Sequence, residues 1–263
     1  MQSISDRSLF ATKVAEEAGA LAIRYFGNRD TLVVDAKGAQ DWVSEADRNV
    51  ETYVREKISE AYPDDGIFGE EHAAKLGSSG FDWVIDPIDG TTNFVNGIPA
   101  WTIVLAVVSE GQTQIGVIHE PNVAETFAAM RGAGATLNGQ PMQVASGVDM
   151  ASGTVSVGYS NRIEAAKVIP IISAIIERGA MYHRNASGAL SLAYVAAGRL
   201  LGYVEEHMNA WDCLAGQLLI AEAGGVVEEQ DANEMIRDGG RVIAGTPKIF
   251  DDLKAICEKA WHV

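Results

Sequence analysis

Ten consecutive residues, Val84-Ile85-Asp86-Pro87-Ile88-Asp89-Gly90-Thr91-Thr92-Asn93, restrict the architecture of this chain more than any other stretch. An apolar strand delivers Asp86 at its C-terminal end, where the ligand sites of α/β sheets commonly lie. Pro87 cannot donate to a hydrogen-bond ladder, so the strand is expected to end and turn there. The turn lets Asp86 and Asp89 face one point while the Ile88 carbonyl looks the same way. Two carboxylates and a carbonyl make a hard oxygen site, suited to Mg²⁺ rather than zinc. Gly90 then lets the backbone approach a ligand. Thr91 opens a helix whose free N–H groups and positive dipole end suit a phosphate. Alone, Asp-Pro and Asp-Gly are ordinary turn formers. The fixed order of strand end, carboxylates, glycine and helix start carries the reading.

The flanking pattern changes character along the chain. Ser8 to Phe26 reads as an amphipathic helix, with Val14, Ala18, Leu21 and Tyr25 at three- and four-residue spacing and Gly27 just beyond. Leu32-Val33-Val34 is β-forming, and a loop follows around Lys37-Gly38. A second helix starts near Ser44, with Glu45 and Asp47 in its first turn, and stops before Pro63. Trp101 to Ser109 pairs with Gln114 to His119 across Glu110-Gly111, and Thr126 to Met130 with the Asn138-Gly139 turn extends an antiparallel sheet. Later the order becomes strand (154–157), helix (168–178), helix (189–197), strand (201–204) and helix (212–223), closed by Gly224-Gly225. This predicts one unit with an α+β N-terminal half (1–145) and an α/β C-terminal half (146–263).

The formal net charge of −16 argues against a nucleic-acid partner, because phosphate backbones need clustered Lys and Arg. Acidity alone keeps a protein soluble, and it also suits a site for divalent cations. Cys213 and Cys257 cannot form a disulfide framework and lack zinc-site spacing, so a reducing, cytoplasmic location is expected. The N-terminus does not read as a signal peptide, and the longest apolar runs are too short to cross a bilayer.

Two further acidic elements matter. Glu70 follows a short apolar strand in Ile67-Phe68-Gly69-Glu70-Glu71-His72. Asp212 stands at a helix start in Ala210-Trp211-Asp212-Cys213, with Leu214, Ala215, Leu218 and Leu219 forming the buried stripe. Taken singly, Asp212 is most simply an N-cap and Glu70 a solvated acid.

Taken together, these elements resemble the inositol monophosphatase family, within the superfamily of metal-dependent, lithium-sensitive phosphatases. The matching pieces are Gly69-Glu70-Glu71, Asp86 to Phe94, Trp211-Asp212 and Glu222-Ala223-Gly224-Gly225, with weaker matches at Asp41 to Asp47 and Gly132 to Gly139. The resemblance spans almost the whole chain. It implies a layered αβαβα sandwich, a homodimer, and a small phosphate monoester as substrate, with no nucleic-acid and no membrane partner. Carried over, Glu70, Asp86 and the Ile88 carbonyl hold a first Mg²⁺, Asp86, Asp89 and Asp212 a second, and Glu70 a third through water, about two to three ions per site. The implied mechanism is direct in-line attack by a metal-activated water, with Glu70, Thr91 and Asp47 as the catalytic group. The implied substrate contacts are Asp89, Gly90, Thr91, Ser187, Gly188, Ala189, Glu205 and Asp212. Ala186 stands where the family usually has glycine, and Glu206 to Asn209 also depart from the common pattern, which bears on substrate identity. Inositol monophosphate is the leading substrate and histidinol phosphate the rival within the class. A regulatory protein-binding role on the same scaffold is the rival from another class. The Lys37 loop keeps its lysine, as a metal-dependent mobile loop in this family would.

Overall fold

The apolar run after Trp101 becomes strand β5 (Thr102–Ser109), and its composition follows from burial on both faces. Val104, Ala106 and Val108 pack into one core, while Ile103, Leu105 and Val107 pack into another. A strand covered on both sides needs no polar alternation, because each face meets a helix layer. The computed structural model describes residues 3–29, 32–38, 41–160 and 163–261; the side chains of 35–43 lie outside the described residues, and with them Lys37.

Strand β5 sits inside a seven-stranded sheet of order β3-β4-β5-β6-β7-β8-β9. Its members are β3 (Gly66–Gly69), β4 (Asp82–Asp89), β6 (Gln112–Glu120), β7 (Glu125–Met130), β8 (Ala135–Leu137) and β9 (Gln140–Pro141). Only β3 and β4 pair in parallel; the other pairs are antiparallel. Both hairpin turns expected from the sequence form, with positive φ at Glu110-Gly111 and at Asn138-Gly139.

One face of this sheet is covered by α1 (Ile4–Gly27) and α2 (Glu45–Ala61), through Val14, Ala18, Val50, Val54 and Ile58. The other is covered by α5 (Gly188–Ala196) and α6 (Ala210–Glu222). Beyond these two helices lies a five-stranded sheet of order β11-β10-β12-β14-β13. Its strands are β10 (Thr154–Val157), β11 (Met181–His183), β12 (Gly202–Met208), β13 (Val226–Val227) and β14 (Gly240–Gly245). Tyr203, Val242 and Ala244 face α5 and α6, whereas Val155, Val157, Val204 and Ile243 face α4 (Ala165–Glu177) and α8 (Phe250–Trp261). The result is the layered αβαβα sandwich. No helix among the described residues is long and apolar enough to cross a membrane.

Several boundaries differ from the sequence reading. Helix α1 starts earlier, at Ile4, because Ser3 and Asp6 form a capping box, with Asp6 N–H donating to Ser3 Oγ at 3.2 Å and Ser3 N–H to Asp6 Oδ2 at 2.9 Å. The expected loop around Lys37-Gly38 belongs to strand β1 (Val34–Gly38), paired antiparallel with β2 (Asp41–Ser44). Pro87 does not end its strand. Asp86 pairs with Val104 and Asp89 with Thr102, so one extra residue bulges out of β4, and a bulge tolerates the missing N–H of proline. The region after Gly225 adds β13, α7 (Ala232–Asp238), β14 and α8, which were not read from the sequence. The spacing of Leu253, Ile256, Cys257 and Ala260 was the available signal for α8.

Candidate active site

The bulge in β4 presents the acids. Asp86 is almost fully buried, and its Oδ1 accepts the Ile88 N–H at 2.9 Å, which bends the chain back on itself. The Ile88 side chain packs into the core beneath α1 and α2, while its carbonyl accepts the Thr91 hydroxyl at 3.1 Å. Asp89 is held from the facing layer: the Ser187 hydroxyl and the Ala189 N–H, at 2.9 Å, both donate to its Oδ2. The N-terminus of α5 thus grips one carboxylate, as helix polarity favours. Gly90, at φ +99°, turns the chain into the short helix α3 (Thr91–Val95).

Asp212 comes from α6. Asn209, rather than Asp212, is the N-cap, and Asp212 occupies the third helical position, where its Oδ2 accepts the Asn209 N–H at 3.3 Å. The cap is one turn earlier because β12 runs on to Met208 and delivers Asn209 directly to the helix. Asp86, Asp89 and Asp212 each offer an oxygen, and these lie within 4.8 Å of one another. No nitrogen or sulfur donor belongs to this group, so the donor set is hard and fits Mg²⁺. Like charge and burial act together. Burial, the Asp89 carboxylate and then Glu205 push the Asp212 carboxyl up to about 7, against a hydrogen bond from Asp86. Burial, with Glu70, Asp89 and Asp212 nearby, holds Asp86 well above the ordinary carboxylate range.

These carboxylates open on a cavity of ≈ 170 Å³, also lined by Glu70, Gly90, Thr91, Ser187, Gly188 and Glu205. That is smaller than the ~300–1,000 Å³ typical of drug-sized ligands, so the cavity suits a small molecule. Asp47 and Ala189 are fully buried behind its wall. Asp47 reaches the cavity through Thr91, whose hydroxyl donates to Asp47 Oδ1 at 3.0 Å. The other Asp47 oxygen accepts Ser44 N–H at 2.8 Å and Ser44 Oγ at 2.6 Å in the capping box of α2. Burial raises the Asp47 carboxyl against these hydrogen bonds. Tyr203, Arg184 and Asn185 line the cavity too and were missed. Glu205 two residues after Tyr203 was the available signal for that tyrosine, since residues i and i+2 share a strand face. Arg184 and Asn185 carried none. Ala186, in place of the family's usual glycine, takes the left-handed conformation at φ +61°.

Glu70 is placed by a neighbour the sequence did not single out. Glu51, fully buried on α2, accepts Glu71 N–H at 2.7 Å and Arg55 Nε–H at 2.6 Å, while Arg55 donates to the carbonyls of His72 and Ala73. This network fastens the segment carrying Glu70 to α2. Glu51→Ala leaves Arg55 and the N–H groups of Glu71 and His72 without their acceptor, so it should destabilise the protein by about 3 kcal/mol. Denaturant titration checks this, and a midpoint equal to wild type would contradict it.

A model described as the inositol monophosphatase family matches residues 5–262. An inositol-1-monophosphatase of Mesorhizobium japonicum is 37% identical over 240 residues, covering 90% of each chain. A Nus factor SuhB of Haemophilus influenzae is 35% identical over 248 residues, covering 92% of each. In three dimensions, the extragenic suppressor protein suhB of Bartonella henselae superposes with a TM-score of 0.89 at 33% identity, covering 95% of this chain and 97% of that one. The layers, the acidic cluster and a match running from end to end agree: the chain belongs to the inositol monophosphatase family.

Proposed function

We propose that the protein is a Mg²⁺-dependent phosphomonoesterase that hydrolyses a small polyol phosphate, with inositol monophosphate as the leading substrate. One observation carries this reading: three carboxylates converge within 4.8 Å on the wall of a small cavity. Among the described residues, five carboxylates and one cation, Arg184, line that cavity, so added positive charge beside them favours a phosphate dianion. Asp86, Asp89, Asp212, Glu70 and the Ile88 carbonyl would hold Mg²⁺ there. When bound, the cation neutralises phosphate charge and activates water for attack.

The chain's own residues set the geometry. The phosphate rests against the backbone of Gly90 and Thr91. Thr91 Oγ is pinned by its hydrogen bonds to Asp47 and Ile88, so it orients the attacking water. Glu70 takes the proton from the attacking water as the new P–O bond forms in line with the breaking ester bond. The alcohol oxygen leaves with the bonding pair and takes a proton from solvent water. Asp89, fixed by Ser187 and Ala189, keeps its carboxylate directed at the reacting end. Glu205 meets a hydroxyl of the leaving alcohol, beside Gly188.

Thr91→Val keeps the volume and removes the hydroxyl. Turnover should fall roughly 10²-fold with Mg²⁺ binding retained, and an unchanged kcat would remove Thr91 from the mechanism. Phosphate release with Mg²⁺ from inositol monophosphate, histidinol phosphate and 4-nitrophenyl phosphate tests the whole reading. The highest kcat/KM should belong to inositol monophosphate; a preference for histidinol phosphate would replace the substrate and keep the chemistry. A second reading, a regulatory binding role on the same scaffold, is favoured by relatives named Nus factor SuhB. Absence of turnover on every ester would leave that reading alone.

A further inference from the structure

We propose that Tyr203 is a positioning residue that selects the alcohol part of the substrate, by holding the Glu205 carboxylate in one orientation in the cavity wall. The proposal rests on reading Glu205 as the residue that meets a substrate hydroxyl. Both side chains leave β12 on the same face, two residues apart, toward α5, α6 and the cavity. The Tyr203 ring is 2% exposed and packs in the core between the second sheet and these helices, so the phenol has little freedom. Its hydroxyl donates to Glu205 Oε2.

Two glycines make room for this pair. Gly158 follows β10, and its N–H donates to the Val204 carbonyl at 2.8 Å. A Cβ at that position would stand 2.0 Å from Glu205 Oε2 and 2.3 Å from the Tyr203 hydroxyl oxygen. At Gly188, the first residue of α5, a Cβ would stand 3.2 Å from the same hydroxyl and 2.6 Å from the Met208 methyl. Backbone therefore closes on the phenol–carboxylate pair from two sides. A free glutamate has three side-chain rotors, and ordering it on binding opposes affinity. A carboxylate already held by the phenol has fewer orientations left to it, so less ordering remains when substrate arrives. This bias favours phosphate esters whose alcohol carries a hydroxyl that can donate to Glu205. An ester lacking such a hydroxyl gains nothing from it.

The test is a double-mutant cycle of Tyr203→Phe and Glu205→Gln, assayed on inositol monophosphate and 4-nitrophenyl phosphate, with Gly158→Ala as a third variant. The quantity read is the ratio of kcat/KM for the polyol ester to that for the nitrophenyl ester. Tyr203→Phe keeps the ring and removes only the hydroxyl. The ratio should fall about tenfold, mainly through KM for the polyol ester. In the Glu205→Gln background, the same change should have little further effect, because the carboxylate that Tyr203 orients is gone. Gly158→Ala should lower the ratio as well, because its Cβ would drive the Glu205 carboxylate and the Tyr203 hydroxyl out of their contact. A merely structural role for Tyr203 would lower both substrates together and leave the ratio unmoved, which overturns the proposal. Additive effects in the double mutant also overturn it. If Glu205→Gln itself leaves the ratio unmoved, the reading of Glu205 fails and the proposal falls with it. A selective Glu205→Gln beside an unselective Tyr203→Phe overturns the role of Tyr203 alone.

Discussion

Asp212→Asn is expected to lower kcat by about 10³-fold or more while leaving the fold intact. The asymmetry follows from what each part of the side chain does. Asparagine keeps an oxygen where Asp212 Oδ2 accepts the Asn209 N–H, so the first turn of α6 retains its capping contact. The lost negative charge weakens the interaction with the helix dipole by about 0.3–1 kcal/mol. Against this, the substitution removes repulsion with Asp89 and Glu205, the charges that raise the Asp212 carboxyl beyond the effect of burial. The cation-free variant should therefore melt at or slightly above the wild-type temperature at pH 8. The cation site, in contrast, loses a charged ligand of the three that converge within 4.8 Å. Added Mg²⁺ should then raise the melting temperature of the variant less than that of wild type. Near-normal kcat together with a normal Mg²⁺-induced shift would return Asp212 to a purely helical role.

Chelation should have a larger effect still, ending turnover altogether and destabilising the folded chain in a pH-dependent way. Without a cation, Asp212 keeps its proton up to about pH 7, whereas the unfolded chain releases it near 3.8. Between those values the folded state binds the extra proton. The stability this gives is complete below the unfolded pKa and is lost as pH rises through 7, at up to about 1.4 kcal/mol per pH unit. Asp86, shifted in the same direction, adds to the trend. Divalent cation acts in the opposite sense, because it binds best when the carboxylates have lost their protons. At a hundredfold excess over Kd it contributes about 2.7 kcal/mol, or roughly 5–10 °C in melting temperature. Melting curves in chelator and in Mg²⁺ should thus diverge as pH rises from 5 to about 7.5. Ca²⁺ should protect too, since the donors are all oxygen, but its longer bonds should leave the protein inactive. Parallel melting curves at all pH values, or full activity in a chelator after metal analysis, would sink the cation site.

Much of this was legible in short-range order. Strand β4 ending in acids, the hairpins at Glu110-Gly111 and Asn138-Gly139, and α2 starting at Ser44 follow from turn chemistry and caps acting within a few residues. The motif residues Glu70, Asp86, Thr91, Glu205 and Asp212 were legible as well, through resemblance to the family, and the structure puts all of them on one cavity. Local rules misjudged Pro87, because its tolerance in a bulge depends on Val104 and Thr102 of the neighbouring strand. They also misplaced the cap of α6, because the path of β12 decides where the helix begins. Glu51, Tyr203 and Gly158 carry no motif. Each acquires its part only through partners brought in by folding: the segment 69–73, the Glu205 carboxylate, and the phenol beside it. By itself the sequence determined the main helices, the hairpins and the acids of β4, since periodicity, caps and turn chemistry are properties of neighbouring residues. The layers and the full acidic set were legible only through the family resemblance. Tertiary structure alone decided which carboxylates lie within reach of each other, and what holds them there. Those distances are set by packing between α5, α6 and the two sheets, across separations of about a hundred residues, as in the Ala189 contact with Asp89.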